Sequence, residues 1–396
     1  MKKIIIIIFI ILCAAYVFIA KFNASAYQVM VGLNLIHPCY KPNNDLVDIF
    51  KQQGFDYEKM DKEIVEKALK KLLTKVDITD QDSKIPPITH HIYFVKDNNT
   101  KALLDFYIKK MQANFDKLNA ESDNWQHFLW SNDHSIFPEH IKQIKGVKLK
   151  NISELKDHPL FSKLSDSIKK GNENTGYFME ASDIFRLMLL QKFGGIYTDM
   201  DYELYQTHSL MEFMKRFDFI AGRELPRKLS YYGNSFLVSK PNHPIINDAI
   251  SRLERTDLLN YMKYPCNMYD KLYFNSPPLL TISYFAKNNI DGNNDMILPA
   301  WMVLNVDFAR YKNGDCTYVK INKEGFEEND KKLFQLMKEY PSKVEMKDGS
   351  SEGKDNIYYS YKHRDGFEII GADMFCATWV EKKASRKYYW RFLDEK

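Results

Sequence analysis

The stretch Phe178–Tyr202 reads FMEASDIFRLMLLQKFGGIYTDMDY, and it predicts a helix, a tight turn and a strand in direct succession. Almost every position from Tyr177 to Phe193 is apolar, which indicates a helix that is buried on most of its surface. The pair Gly194-Gly195 predicts a left-handed helix end and a turn tight enough for a strand to begin at Ile196.

The strand predicted over Ile196–Asp201 ends in an Asp-x-Asp pattern. Side chains two positions apart on a strand share a face, so Tyr197, Asp199 and Asp201 are expected to point the same way. Two converging carboxylates suit a hard cation such as Mg²⁺ or Mn²⁺, which keeps substrate phosphates and water in its other positions. The pattern therefore predicts a metal-diphosphate site. A phosphatase-type nucleophile is the weaker alternative, because Tyr202-Glu203 follows where such sites carry Thr or Val.

Two charged residues interrupt the apolar helix. Asp183 and Arg186 are three positions apart, so they lie on one face of the helix. Buried charges persist only when they are paired or bound to something. Two interpretations stay open: a structural ion pair, or a grip on the hydroxyl groups of a donor sugar.

These segments resemble the core signature of the DXD sugar-transferase group, glycosyltransferase family 32. That group includes fungal α-mannosyltransferases, animal α-galactosyltransferases and many bacterial proteins, with the glucosylating bacterial toxins as more distant relatives. Four more segments resemble the family's first strand, its second strand, its acceptor-side loop and its Gly-Pro-x-x-x-Thr segment: Ile85–Phe94, Trp125–Asp133, Asn234–Pro244 and Ser276–Thr281. The resemblance covers about Ile85–Leu304 and, weakly, Gly371–Trp379.

The resemblance implies a GT-A type α/β fold and transfer of a hexose, with retention, from a UDP- or GDP-sugar to a carbohydrate, lipid or protein. It implies Mn²⁺ or Mg²⁺ as cofactor, with Asp201 as a direct ligand. Asp199 would hold the ribose or donor sugar and reach the metal directly or through water, and Asp183 would complete the catalytic set. The substrate-binding residues would be His90, Tyr93, Asp183, Arg186, Gly195, Tyr197, Asn234 and Ser276.

The C-terminal motif departs from the family. Family members commonly carry a His-rich strand followed by Ser-Trp, whereas this chain reads GADMFCATW over Gly371–Trp379. By position Asp373 or Met374 replaces the histidine, and only Asp373 could serve as an oxygen ligand. Asp373 is either a third metal ligand or the cap of a turn. The missing histidine also motivates an alternative function, a catalytically inactive transferase-like protein that binds carbohydrate.

The N-terminus carries an apolar run at Ile4–Ala20 that follows Lys2-Lys3. It predicts either a signal peptide cleaved near Ala26 or an uncleaved anchor, so the body leaves the cytosol and residues 4–20 can associate with a membrane. Three of the four formal net positive charges belong to Lys2, Lys3 and Lys21, so the remainder is close to neutral and nucleic acid is not an expected partner.

Composition and periodicity divide the rest of the chain. Residues 27–84 are expected to form an N-terminal helical region and linker, interrupted at Gly54-Phe55-Asp56, and residues 85–310 the catalytic domain. Residues 311–366 read as a polar insertion, and residues 367–396 as a segment that completes the catalytic domain. Further strands at His91–Val95, Gln126–Trp130 and Val147–Lys150, separated by helical stretches, predict an open, mostly parallel α/β sheet flanked by helices.

Overall fold

The computed structural model describes residues 50–51, 53–74, 83–94, 101–133, 146–173, 177–204, 207–224, 231–255, 277–298, 302–303, 309–312, 315–318, 344–348, 357–361 and 370–373. The predicted signal or anchor segment and Ser276 lie outside these ranges. Among the helices within them, none combines the length and the apolar character that a membrane crossing requires.

One seven-stranded sheet forms the centre of the fold, in the order β3-β2-β1-β4-β7-β6-β8. The strands in chain order are β1 Ile88–Ile92, β2 Gln126–Ser131, β3 Val147–Asn151, β4 Gly195–Thr198, β5 Tyr202–Leu204, β6 Phe219–Glu224, β7 Tyr231–Ser239 and β8 Asp295–Leu298. Strands β3, β2, β1 and β4 are parallel, β7 is antiparallel to β4 and β6, and β6 is parallel to β8. The expected open, mostly parallel sheet is confirmed.

Short antiparallel pairs account for the other described strands. Strand β5 pairs with β13, Gly371–Asp373, at the C-terminal end of the described chain. Within the predicted polar insertion and just before it, β9 (Ala309–Lys312) pairs with β10 (Asp315–Tyr318), and β11 (Val344–Asp348) pairs with β12 (Ile357–Tyr361).

Seven helices flank the sheet in the described part of the chain. They are α1 Tyr57–Leu73, α2 Lys101–Glu121, α3 Phe161–Glu173, α4 Tyr177–Phe193, α5 Thr207–Arg216, α6 Pro244–Arg255 and α7 Pro277–Lys287. The helix predicted from Tyr177 to Phe193 is confirmed at both ends. The predicted break before α1 is also confirmed, because the Asp56 side chain caps this helix by accepting a hydrogen bond of 3.2 Å from the Lys59 N–H.

Helix α1 is packed into the core of the sheet domain. Tyr57 and Ile64 belong to the large apolar cluster that also contains α4 and the sheet, and Ala68 and Leu72 belong to the cluster on β6 and β8. The N-terminal helical region that the sequence indicates is thus joined to the sheet through apolar contacts.

The order of the strands contains one topological switch point. From β1 the chain runs outward to β2 and β3, and then returns to place β4 on the opposite side of β1. In open α/β sheets a ligand crevice opens at the carboxyl ends of the strands where the order reverses. In this sheet that point lies between Ile92, the last residue of β1, and Thr198, the last residue of β4.

Buried histidines lie within the first strands of the sheet. His90 is fully buried; its Nδ1 accepts a hydrogen bond of 3.2 Å from Trp130 Nε1, so its Nε2 carries the proton and donates to the Gly194 carbonyl at 2.9 Å. Burial lowers the pKa of His90 to about 4, that of His91 to about 3 and that of His127 to about 4. These residues are neutral parts of the core at physiological pH.

We expect acid to destabilise the protein through these histidines. The pKa of His90 is depressed in the folded state, so only the unfolded chain binds a proton as the pH falls below about 6.5. For His90 alone, stability should fall by about 2 kcal/mol between pH 7 and pH 4.5. Denaturant titrations measure the free energy of unfolding at the two pH values, and His90→Gln should make the difference between them smaller. The exposed His208 supplies the control variant His208→Gln, which should lose as much stability between the two pH values as the wild type does. An equally reduced loss in both variants would contradict the prediction.

Candidate active site

The Asp-x-Asp pair lies directly after β4, at the switch point. The Asp199 N–H donates to the Ser235 carbonyl at 2.8 Å, which prolongs the pairing of β4 with β7, and the Tyr202 N–H closes a turn on the Asp199 carbonyl at 3.1 Å. The predicted continuation of the strand to Asp201 is wrong, because the chain turns after Asp199. Asp201 is therefore placed by the turn and not by the alternation of a strand.

Gly194 and Gly195 make the connection from α4 to β4 possible. Both adopt positive φ values, 65° and 92°, that side chains rarely tolerate. A Cβ atom on Gly195 would collide with the Ile88 carbonyl of β1. Gly195 is buried between β1 and β7, where the close approach of Ile88 requires a residue without a side chain, and the predicted substrate contact stays a prediction.

The charged residues of α4 are brought to Asp199. Asp183 and Arg186 are only 3% and 4% exposed, and Arg186 Nη2 lies 2.7 Å from Asp183 Oδ1. Arg186 Nη1 lies 3.4 Å from Asp199 Oδ1, and Arg186 Nε donates to the Ser182 carbonyl at 3.2 Å. One guanidinium thus bridges two carboxylates, which reduces the cost of burying Asp183.

Tyr197 links Arg186 to Asp199 from the other side. The guanidinium carbon of Arg186 lies 4.5 Å from the centre of the Tyr197 ring, and the Tyr197 hydroxyl donates to Asp199 Oδ1 at 2.5 Å. Burial raises the pKa of Tyr197 well above its usual value, so the hydroxyl keeps its proton and remains a donor. Tyr197 and Arg186 together fix the orientation of the Asp199 carboxylate.

Asn234 completes the network because of an irregularity in β7. In the ladder between β6 and β7, Ala221 pairs with Leu237 and then Arg223 pairs with Tyr232. Residues Gly233–Phe236 of β7 therefore form a bulge in that ladder. The bulge brings Asn234 Nδ2 to 2.9 Å from Asp183 Oδ1 and the Asn234 carbonyl to 2.5 Å from Arg186 Nη1. We refer to Asp183, Arg186, Tyr197, Asp199 and Asn234 as the Arg186 network.

The other predicted site residues have different environments. His90 has both ring nitrogens engaged inside the core, so its side chain has no polar atom left for the predicted substrate contact. Tyr93 follows β1 at the switch point, half-buried, with its ring 6.1 Å from that of Tyr107. Asp373, on β13, stands opposite Tyr202, so its backbone lies next to the strand that follows Asp201.

A cluster that the sequence analysis did not find lies on the far side of the bulge. Arg223 Nη2 of β6 donates to Asp61 Oδ2 of α1 at 2.6 Å, and the Tyr232 hydroxyl is 3.4 Å from Asp61 Oδ1. Beside it lies a small cleft, lined by Tyr202, Gly222, Arg223, Gly233, Ser235, Phe236 and Val303. Nothing in the sequence pattern pairs Asp61 with Arg223, because they are far apart in the chain and meet only through the packing of α1.

The charges around the switch point suit a divalent cation. Asp183, Asp199 and Asp201 bring three carboxylates to this region, and Arg186 contacts the first two of them. The Asp199 side chain is 33% exposed, and Asp201 is half-buried, so both can be reached from solvent. Among the described residues, no group of three or more His, Cys, Asp or Glu side chains is arranged so that it could hold a metal ion by itself. Asp199 and Asp201 are two carboxylates that could hold a cation such as Mn²⁺ or Mg²⁺, which accepts phosphate oxygens and water in its other positions.

Residues 109–219 match the family model described as glycosyltransferase sugar-binding region containing DXD motif. This segment runs from within α2 to the residue that begins β6, and it contains Asp183, Arg186, Tyr197, Asp199 and Asp201. It covers less than half of the chain. No curated protein matches the sequence.

Several solved structures share a distant likeness. The PaToxG glycosyltransferase matches 61% of this chain and 82% of its own at 17% identity, with a TM-score of 0.35. The UDP-bound glycosyltransferase domain from the YGT toxin matches 55% of this chain and 80% of its own at 12% identity, with a TM-score of 0.35. The glycosyltransferase GlyE of Streptococcus pneumoniae TIGR4 matches 56% of this chain and 47% of its own at 11% identity, with a TM-score of 0.30.

Proposed function

We propose that the protein is a metal-dependent glycosyltransferase that moves a hexose from a UDP- or GDP-sugar to a carbohydrate, lipid or protein acceptor. The observation that carries this proposal is the position of Asp199 and Asp201 at the carboxyl edge of β4, at the switch point, with Asp199 held by the Arg186 network. The match of residues 109–219 to a DXD sugar-binding region supports it.

Each residue of the site then has a distinct task. Asp201, on the turn, would bind Mn²⁺ or Mg²⁺ directly. Tyr197 and Arg186 both contact Asp199 Oδ1, which leaves Asp199 Oδ2 as the oxygen that we assign to the sugar, the ribose or the cation. Arg186 and Asn234 both bind Asp183 Oδ1 and so fix the orientation of this carboxylate, which we assign to a hydroxyl group of the donor sugar.

Charge stabilisation is the main catalytic effect that this arrangement can supply. When bound, the cation would neutralise the charge that develops on the departing nucleoside diphosphate. Asp183 and Asp199 both contact Arg186, and Asp201 would add its carboxylate to the binding of a divalent cation. No described residue is placed as a covalent nucleophile, and we propose retention by attack from the face of the leaving phosphate.

The second candidate function is a catalytically inactive transferase-like protein that binds carbohydrate. It is favoured by the departure at Gly371–Trp379, where the family's histidine is absent. Such a protein would hold a sugar without releasing nucleotide, so donor turnover distinguishes the two candidates.

The decisive experiment is a panel of UDP- and GDP-hexoses scored for nucleotide release. With Mn²⁺ present, we expect one donor to be hydrolysed or transferred well above background, and EDTA should stop the reaction. An absence of release for every donor, together with retained binding to a glycan array, would establish the carbohydrate-binding alternative. The anomeric configuration of the product, followed by NMR, tests the proposal of retention.

Asp373 is our candidate for a third metal ligand. In the Asp373→Ala variant we expect the Mn²⁺ concentration for half-maximal turnover to rise at least tenfold, equivalent to about 1.4 kcal/mol of lost binding. A titration at saturating donor measures it. If the curve does not move, Asp373 only caps a turn, and water or phosphate occupies that position of the metal.

Export from the cytosol is a further proposal, based on the apolar run at residues 4–20 and the Ala24-Ser25-Ala26 triplet. Mass spectrometry of the N-terminus of the mature protein would distinguish cleavage near Ala26 from an uncleaved membrane anchor.

A further inference from the structure

Strand β5 follows Asp201 at once and belongs to no large sheet. It contains only Tyr202, Glu203 and Leu204, and its strand partner is β13, with Glu203 opposite Ala372. Successive residues of a strand direct their backbone groups to opposite edges, so Tyr202 and Leu204 present theirs on the edge away from Ala372. These two residues are 1% exposed, and their backbone groups therefore require partners.

A single side chain of α2 pairs with two of these groups, the Tyr202 carbonyl and the Leu204 N–H. Asn114 Nδ2 donates to the Tyr202 carbonyl at 2.8 Å, and Asn114 Oδ1 accepts from the Leu204 N–H at 2.8 Å. The amide of Asn114, which is 2% exposed, thereby takes the place of a neighbouring strand. A primary amide offers a donor and an acceptor side by side, which a carboxylate or an ammonium group does not.

The rest of the same helix face also contacts β5. Lys110 Nζ lies 2.7 Å from Glu203 Oε2, and Lys117 Nζ donates to the Leu204 carbonyl. Lys110, Asn114 and Lys117 recur at the spacing that places side chains on one side of a helix. Each residue of β5 is therefore contacted by α2, and we name these three residues the α2 clamp.

We propose that Asn114 is a positioning residue for the metal site, acting through β5 on Asp201 and on the backbone of β13. The inference rests on the proposed function. The α2 clamp holds one edge of β5 and β13 holds the other, so the clamp sets the distance between the turn that carries Asp201 and the strand that carries Asp373.

The chemistry of a divalent cation makes this distance important. Metal ligands must lie within a few tenths of an ångström of their preferred positions for full affinity. The turn at Asp199–Asp201 is held at Asp199 by the Arg186 network and at Met200 by apolar packing that includes Met111 and Phe115 of α2, and its last residue leads directly into β5. Loss of the Asn114 amide should loosen the end of the turn that joins β5 and so weaken the binding of the cation. The residues of α4 that we assign to the donor, Asp183 and Arg186, should keep their places.

The test uses the full chain with Asn114→Ala, Asn114→Gln and, as matched control, Asn119→Ala. Asn119 lies on the same helix, but its side-chain Oδ1 forms a hydrogen bond of 3.1 Å with His127 Nε2 of β2. We expect Asn114→Ala to raise the Mn²⁺ concentration for half-maximal turnover at least tenfold, with donor KM at saturating Mn²⁺ changed less than threefold. Asn114→Gln, which keeps the amide, should lie between Asn114→Ala and the wild type. Asn119→Ala should follow the wild-type curve.

A second measurement does not depend on turnover. Electron paramagnetic resonance of Mn²⁺, titrated with UDP present, reports binding directly, and the dissociation constant should rise at least tenfold in Asn114→Ala. If the melting temperature falls but Mn²⁺ binding is unchanged, the clamp is only structural and the inference is overturned. If the wild type binds Mn²⁺ but turns over no donor, the proposed function fails while the positioning of the metal is still decided by the Asn114 variants.

Discussion

Asp201→Asn should reduce donor turnover at least a hundredfold while the protein stays folded. The substitution removes one carboxylate charge from the turn after β4, and a neutral amide is a much poorer ligand for a hard cation. Because Asp201 is only half-buried, the free energy of unfolding should change by about 0.5 kcal/mol or less. Nucleotide release at saturating donor measures the first effect, and denaturant titration measures the second.

A matched control separates metal binding from a general loss of negative charge. Glu212→Gln removes a carboxylate that is 52% exposed on α5, and it should leave turnover unchanged. Raising the Mn²⁺ concentration a hundredfold should recover part of the activity of Asp201→Asn. A weaker ligand lowers the affinity for Mn²⁺, and a higher Mn²⁺ concentration compensates for lower affinity. Wild-type activity in Asp201→Asn would falsify the assignment of the metal site.

Arg186→Met should have the largest effect on stability. It removes the cation that holds Asp183 and Asp199, and Asp183 remains as a carboxylate that is only 3% exposed. Removing one partner of a buried ion pair typically costs about 3–5 kcal/mol. The donor site should also fail, since Asp199 loses the group that fixes its orientation. Thermal or denaturant unfolding measures the first consequence, and donor turnover the second.

The double variant Asp183→Asn/Arg186→Met decides whether the pair is structural or functional. Without the buried charge on residue 183, we expect most of the lost stability to return. Activity should not return, because neither the donor grip nor the orientation of Asp199 is restored. As a control, Lys150→Met breaks the partly exposed pair with Glu154 and should cost at most about 1 kcal/mol. Recovery of both stability and turnover in the double variant would leave the ion pair with a structural role alone.

Local pattern was sufficient for the elements around the site. The apolar run predicted α4 at both ends, and Gly194-Gly195 predicted the turn, because helix periodicity and positive φ are properties of neighbouring residues. The strands β2 and β3 were found within one residue of their ends for the same reason. Strand β1 was predicted over His91–Val95 but spans Ile88–Ile92. Its bounds were missed because its short run of polar and apolar residues lacks a clear alternation.

The same local rules failed where the chain changes direction. Alternation predicted that Tyr197, Asp199 and Asp201 share a face, but the Tyr202 N–H closes a turn on the Asp199 carbonyl.

His90 matched a family segment, yet both of its ring nitrogens are occupied by Trp130 and Gly194. A motif match identifies a residue type at a position, whereas a free polar atom depends on which neighbours the fold brings to it.

The sequence by itself therefore determined the class of the fold and the location of the Asp-x-Asp pair, since both follow from the order of residues along the chain. Tertiary structure alone decided the bulge that brings Asn234 to Asp183, the contact of Asn114 with β5, and the pairing of Asp61 with Arg223. In each of these contacts a polar group must satisfy a buried partner far away in the chain. Every buried polar group requires a hydrogen bond, so this requirement does not specify a partner. The partner is selected by packing, through the order and register of the strands.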